Sequence, residues 1–362
     1  MIYVINYTKK GEELQLTKLR FAIIGCGSIT KHRHAPETKQ NSNVNLVAVC
    51  DKNINNAQTI AKMFDVENVY DDYEKMLKEI KPDAVIVATP NYLHADATIK
   101  ALKEGAHVLC EKPMATTEDE CKMMLQTAKE TGRFLMIAHN QRFNSAHKKA
   151  KEIIQSGELG KVLSFKTTFG HGGPESWSSD KPDTWFFHKD LAVFGAMGDL
   201  GVHKIDLMRF LLGEEFVEAA AFVTTLSKKY PNGQPIDVDD NAVCILKTQS
   251  GAIGTLTASW TYPGSEDNST VIYCEKGSIT LYADPKFSMI IRYANGQKAY
   301  FELDTMQTNE RQTKSGVVDE FIDCILTNTP PKISGEEGLK TMKVVFACFE
   351  SAKTGKIVRI DY

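Results

Sequence analysis

The chain has no apolar stretch near the roughly 18 residues that a bilayer span requires. Its 362 residues carry a formal net charge of only −3, with both signs interspersed. The first absence argues against a membrane span. The second removes the basic footprint of a nucleic-acid binder, although a single anionic ligand needs only local geometry. Cysteine occurs eight times, but never as a C-x-x-C pair or at a zinc-like spacing from histidine. Several, such as Cys50 and Cys110, fall inside apolar runs, the pattern of reduced buried thiols. No metal is expected. The opening "MIYVINYTKKGEELQLTK" turns charged too soon to serve as an export signal, which points to the cytoplasm. Residues 1–17 read as an extension ahead of the first core strand.

What is present falls into two halves, as a chain longer than one compact core usually covers would suggest. Residues 18–140 alternate short apolar runs with amphipathic stretches. The runs are "FAIIG" (21–25), "LVAVC" (46–50), "AVIVA" (84–88), "HVLC" (107–110) and "FLMIA" (134–138). Runs without alternation suit strands buried on both faces, so this half predicts a doubly wound parallel sheet of the Rossmann kind. Gly105 and Gly132 stand where helix C-caps are expected. Residues 141–362 read as an α/β domain with an open, mainly antiparallel sheet. Its turns carry Gly251, Gly277 and the strong hairpin signal Asn295-Gly296. Helices are expected at 141–156 and 337–353, on one face. The other face needs a cover, which predicts a homo-dimer or homo-tetramer built on this sheet.

The first strand runs into Gly25-Cys26-Gly27-Ser28-Ile29-Thr30. A Gly-x-Gly turn lets backbone approach a pyrophosphate, and the following helix N-terminus favours its charge. Thr30 stands where a third glycine is usual. The second strand ends in Asp51, 21 residues beyond Thr30, about where a carboxylate grips the adenosine ribose hydroxyls. That carboxylate repels a 2′-phosphate, so NAD is favoured over NADP.

Further motifs gather at the same sheet edge. "AVIVATP" stops at Thr89-Pro90, on the carboxyl side where open α/β sheets bind ligands. "HVLCEKP" brings Glu111 and Lys112 there, with Pro113 biasing Lys112 toward an extended backbone. In "GAMGDLGVHKID" (195–206), read as the start of a helix, Asp199 and His203 are four apart and share a face. A carboxylate beside an imidazole fixes its tautomer, and an imidazole suits removal of a hydroxyl proton. The long loop 171–195 offers Trp177, Trp185 and His188 either to a polyol or to core and oligomer contacts. Asn140 and Arg142 stand at the domain junction, where Arg142 either binds substrate oxygens or holds the joint.

The ordered series "GCGSIT", "ATPNYLHAD", "EKP", "NQRF", "GDLGVHKID" and "DDNAVCILKTQSGAIGTLTASW" resembles the Gfo/Idh/MocA oxidoreductase family, relatives of glucose–fructose oxidoreductase and inositol 2-dehydrogenase. The resemblance covers about residues 18–360. It implies an NAD-dependent dehydrogenase acting on a secondary hydroxyl of a sugar, sugar derivative or cyclitol. It places Thr89, Pro90, Asn91 and His94 along the nicotinamide end, and Lys112 beside the reacting carbinol. It makes His203 the usual base candidate and Asp199 a substrate-binding or orienting partner, leaving open whether His203 or Lys112 takes the proton. Two alternatives remain: an NAD-dependent glycosidase of the same superfamily, and a non-catalytic NAD-binding regulator.

Overall fold

The structure is a computed structural model and describes residues 18–178, 180–306 and 314–362. The extension at 1–17 lies outside the described residues. The first sheet holds β1 (Leu19–Ile24), β2 (Val44–Cys50), β3 (Asn68–Tyr70), β4 (Ala84–Val87), β5 (His107–Cys110) and β6 (Leu135–Ile137). Their order is β3-β2-β1-β4-β5-β6, and every pairing is parallel. The chain leaves β1 toward β2 on one side and returns to β4 on the other. The crevice that this reversal opens lies beyond the carboxyl ends of β1 and β4. Five of the strands are the five apolar runs. The sixth, β3, is only three half-buried residues, "NVY", too short and too polar to stand out.

The helices between these strands end where side chains satisfy their free backbone groups. Asp72 accepts from the amides of Glu74 and Lys75. Thr117 and Glu120 form a reciprocal capping box. Gly132 closes the same helix at φ +64.

The second sheet holds nine strands: β7 (Val162–Gly170), β8 (Phe216–Thr224), β9 (Asn241–Thr248), β10 (Ile253–Ser259), β11 (Thr270–Cys274), β12 (Gly277–Leu281), β13 (Met289–Tyr293), β14 (Lys298–Phe301) and β15 (Val358–Arg359). Their order is β14-β13-β12-β11-β7-β10-β9-β8-β15. The pairings are antiparallel except β7 with β10. The Asn295-Gly296 turn closes the β13–β14 hairpin, with Gly296 at φ +86. One face packs on helices, including Ser145–Ser156 and Gly335–Thr354. The opposite face exposes Phe222 (82 %), Val243, Ile245, Ile253 and Tyr273 on neighbouring strands.

The last helices return to the first sheet. Helix Val317–Thr327, which the sequence did not suggest, sets Phe321 edge-on to Phe21 of β1 at 6.0 Å. Asn41 donates to Asp319 at 2.8 Å, and the Ile137 amide of β6 donates to Ile333 O at 3.0 Å. A division at residue 140 therefore separates the parallel sheet from part of its own cover. The cover is amphipathic helix, and nothing in its local pattern states which sheet it will meet. Among the described residues no helix is long and apolar enough to cross a membrane. No group of three or more His, Cys, Asp or Glu side chains there is arranged to hold a metal ion.

Candidate active site

A cavity of about 870 Å³ opens at the carboxyl edge of the first sheet and is walled on its far side by the second. Its floor is the glycine turn. Gly25 has φ +97, and a Cβ there would stand 2.3 Å from Ala88 O, so only glycine lets β1 turn against the end of β4. A Cβ on Gly27 would meet nothing within 4 Å, which leaves that stretch of backbone open to a ligand. Thr30 is fully buried and donates its hydroxyl to Gly25 O at 2.6 Å, opening a π-type turn over Thr30–His34. The position of the missing third glycine is thus occupied by a side chain that stitches the turn closed. Asp51 accepts from the amides of Cys26 and Asn53, both at 2.8 Å, and keeps lone pairs facing the cavity. Open space beside Gly27 and an acceptor-only carboxylate at the next strand fit a dinucleotide.

The β4 and β5 edges supply the middle of the cavity. Thr89, Pro90, Asn91 and His94 line it with Gly25, Gly27, Ser28 and Ile29. His94 spans two loops, with Nδ1 2.7 Å from Pro113 O and Nε2 2.9 Å from Thr89 O. Burial pushes its pKa down. Asn91 donates to Ala192 O at 2.7 Å and so ties the cofactor loop to the 171–195 loop. Glu111 sits 2.8 Å from His34 Nε2 and also accepts from the Lys112 amide. Burial alone would raise the Glu111 carboxyl, but His34, Arg33 and Lys112 outweigh it and hold the pKa at about 2.

Lys112, whose peptide bond to Pro113 is cis, reaches across to the second half. Its Nζ donates to Asp199 Oδ1 at 2.7 Å and to Asp199 O at 3.1 Å. The second carboxylate oxygen of Asp199 accepts from the indole of the fully buried Trp260 at 3.1 Å. The expected Asp199–His203 contact is therefore corrected: the carboxylate is taken by an ammonium and an indole. A charged donor at this distance outcompetes a neutral imidazole. His203 Nδ1 is enclosed without a partner, and the ring lies 6.0 Å from Phe169 and 6.4 Å from His139. Burial, followed by the neighbouring Lys112, His139, Arg33 and Lys204, holds its pKa well below 6.5. It is a neutral imidazole on the cavity wall.

The segment carrying Asp199 is held by Asp239, which the sequence reading did not single out. Its carboxylate accepts from the Gly195 and Met197 amides at 2.8 and 2.7 Å, capping the π-type turn Met197–Gly201. Burial raises the Asp239 carboxyl to about 6 against these two bonds. A Cβ on Gly195 would lie 1.7 Å from Asp239 O, so the cap requires glycine there.

Of the two roles open for Arg142, the geometry speaks for one. Arg142 is buried outside the cavity and forms a paired contact with Asp206 (2.8 and 2.6 Å) plus one with Glu337 at 3.3 Å. Its Nε and Nη2 are engaged in these contacts, which favours the alternative in which it holds the joint. Beside it, Asn140 and Gln141 do line the cavity. In the long loop, Trp185 stacks on Phe186 at 3.9 Å and Trp177 meets the same ring edge-on at 5.2 Å. Both tryptophans line the cavity, whereas His188 lies outside it beside Asp183. The sequence reading missed His34, Trp260, Gln141, Glu266 and Asn268. The local signals were Trp260, the last letter of the motif "DDNAVCILKTQSGAIGTLTASW", and Gln141, inside "NQRF".

Comparison with known proteins adds to this geometry. The pattern of the oxidoreductase family with an NAD-binding Rossmann fold matches residues 19–139, and the GFO/IDH/MocA C-terminal domain matches 147–280. The chain belongs to the GFO/IDH/MocA oxidoreductase family. It is 31% identical to levoglucosan dehydrogenase of Pseudarthrobacter phenanthrenivorans over 69% of this chain and 68% of that one. It is 28% identical to D-glucoside 3-dehydrogenase of Escherichia coli over 94% and 97%. The solved complex of levoglucosan dehydrogenase with NADH and levoglucosan superposes with TM-score 0.81 at 27% identity, covering 95% of this chain and 100% of the other. Its first half carries the NAD-binding Rossmann pattern of an oxidoreductase, and the relatives it resembles are named as dehydrogenases of sugars and inositols.

Proposed function

We propose that the enzyme oxidises a secondary hydroxyl of a sugar, sugar derivative or cyclitol to the ketone. Bound NAD supplies the hydride acceptor. Gly25, Gly27, Ser28 and Ile29 cradle the pyrophosphate, and Asp51 takes the adenosine ribose hydroxyls. Thr89, Pro90, Asn91, His94 and Glu111 wall the nicotinamide end. As hydride leaves the carbinol carbon, the hydroxyl proton passes to neutral His203 and the Lys112 ammonium steadies the developing alkoxide. Asp199 orients Lys112, and Trp185 offers an apolar face to the sugar ring. The observation that carries this reading is the Lys112–Asp199 bridge at 2.7 Å on a cavity shared by His203 and the glycine turn.

Two further elements belong to the same reading. The exposed apolar stripe on the second sheet, from Phe222 to Tyr273, is the surface through which we expect a homo-dimer or homo-tetramer to form. Eight free, buried thiols suit a cytoplasmic enzyme. The test is an initial-rate panel of sugars and inositols with NAD and NADP, read as NADH or NADPH appearance. Saturable NADH production with at least one member is expected. Glycosidic cleavage without net NADH would mean a glycosidase instead, and NAD binding without either reaction a regulator.

A further inference from the structure

We propose that Gln141, Asn268 and Glu266 form the subsite for the non-reacting hydroxyls, and that this wall selects an uncharged polyol over its carboxylated or phosphorylated counterpart. The proposal rests on the dehydrogenase reading above and assigns its substrate charge. All three residues line the cavity that holds Lys112 and His203. Gln141 Nε2 donates to Asn268 Oδ1 at 3.4 Å, and Asn268 Nδ2 donates to Glu266 Oε1 at 3.5 Å. These long contacts leave the amides room to turn toward a ligand. The wall is anchored from behind by Lys204, a fully buried lysine with no place in the proposed proton chemistry. Its Nζ donates to Asn268 O at 2.9 Å and to Thr270 Oγ1 at 3.4 Å. Lys204 follows His203 directly in the chain, so one helix fixes both the imidazole and the wall.

The chemistry on offer is that of hydroxyl recognition. Glu266 presents a carboxylate, which accepts only, and hydroxyls are donors that can meet it. Amides on Gln141 and Asn268 both donate and accept, as a vicinal diol does. Among the described residues, the cations lining this part of the cavity already have partners. Lys112 is matched by Asp199 at 2.7 Å, and Arg33 faces Glu111 electrostatically. Asp180, also on the cavity, adds another negative group. A carboxylate or phosphate brought here therefore meets the like charge of Glu266 and Asp180.

The test uses matched pairs, a methyl glucoside with its glucuronide and an inositol with its monophosphate. Each is titrated calorimetrically into the enzyme–NADH complex and assayed for turnover with NAD at pH 8. The neutral member of a productive pair should bind and react about 100-fold better. Glu266→Gln should shrink that ratio about tenfold, raising KM for the neutral substrate more than it lowers kcat. Glu266→Ala should shrink it similarly. Acidic and neutral partners within threefold of each other in the wild type, or an unchanged ratio in both variants, would overturn the wall's role. If nothing reduces NAD, the dehydrogenase reading fails while the titration still decides charge selection. Absence of binding by every neutral sugar would sink the subsite too.

Discussion

The two walls of the cavity are built on different terms. In the glycine turn on the first-sheet side, contacts are short in sequence: Thr30 bonds Gly25 five residues back, and Cys26 bonds Asp51 25 residues on. On the second-sheet side, Lys112 meets Asp199 across 87 residues, Trp260 meets Asp199 across 61, and Gln141 meets Asn268 across 127. A phosphate loop needs a permitted backbone shape, which a few adjacent residues can dictate. A substrate wall needs charges at fixed separations, which only packing of distant segments can impose.

The sharpest break in that comparison is at Arg142. If it is a strut, Arg142→Ala should cost about 3–5 kcal/mol of stability by stranding buried Asp206. The substrate KM of the surviving folded fraction should stay near the wild-type value. Chemical denaturation with parallel kinetics reads both, and a raised KM with unaltered stability would restore the substrate-binding role. Lys204 is next. Burial pulls its pKa from 10.5 to about 7 although Asp267 and Glu266 push upward. Between those values the unfolded chain holds a proton that the folded chain does not, so folding stability from this site rises with pH. Wild type should thus gain on the order of 3 kcal/mol over Lys204→Met between pH 7 and 10. A pH-independent difference in melting would show that the ammonium is not desolvated as described.

Lys112→Met bridges the two walls. We expect kcat to fall by about 10² or more while NAD affinity stays within a few-fold. Undiminished turnover would reduce the lysine to a tether between the halves. The smallest effect belongs to the locally built wall. Asp51→Ala should weaken NAD about tenfold, from the loss of hydrogen bonds to a charged acceptor, and weaken NADP less. Fluorescence titration with both cofactors checks it, and equal weakening would remove the ribose contact.

Legibility followed the same divide. Strands β1, β2, β4, β5 and β6 announced themselves as unbroken apolar runs because both faces are buried. The Asn295-Gly296 hairpin announced itself because its turn needs a positive φ. Helix Val317–Thr327 went unnoticed, and β3 was too short to carry a pattern. Asp199 and His203 were found by spacing, yet their partners were misassigned. Spacing along a helix says which residues share a face, and says nothing about an ammonium arriving from another domain.

By itself the sequence determined the doubly wound sheet, the glycine turn with its acidic partner, and the set of groups able to handle a proton. These depend on backbone permission and burial periodicity, which are local properties. Tertiary structure alone decided that Asp199 serves Lys112, that Arg142 is locked into the joint, and that Lys204 backs a polar wall. Each of those outcomes is a competition among charged donors for one carboxylate or carbonyl, and distance in the folded chain settles it.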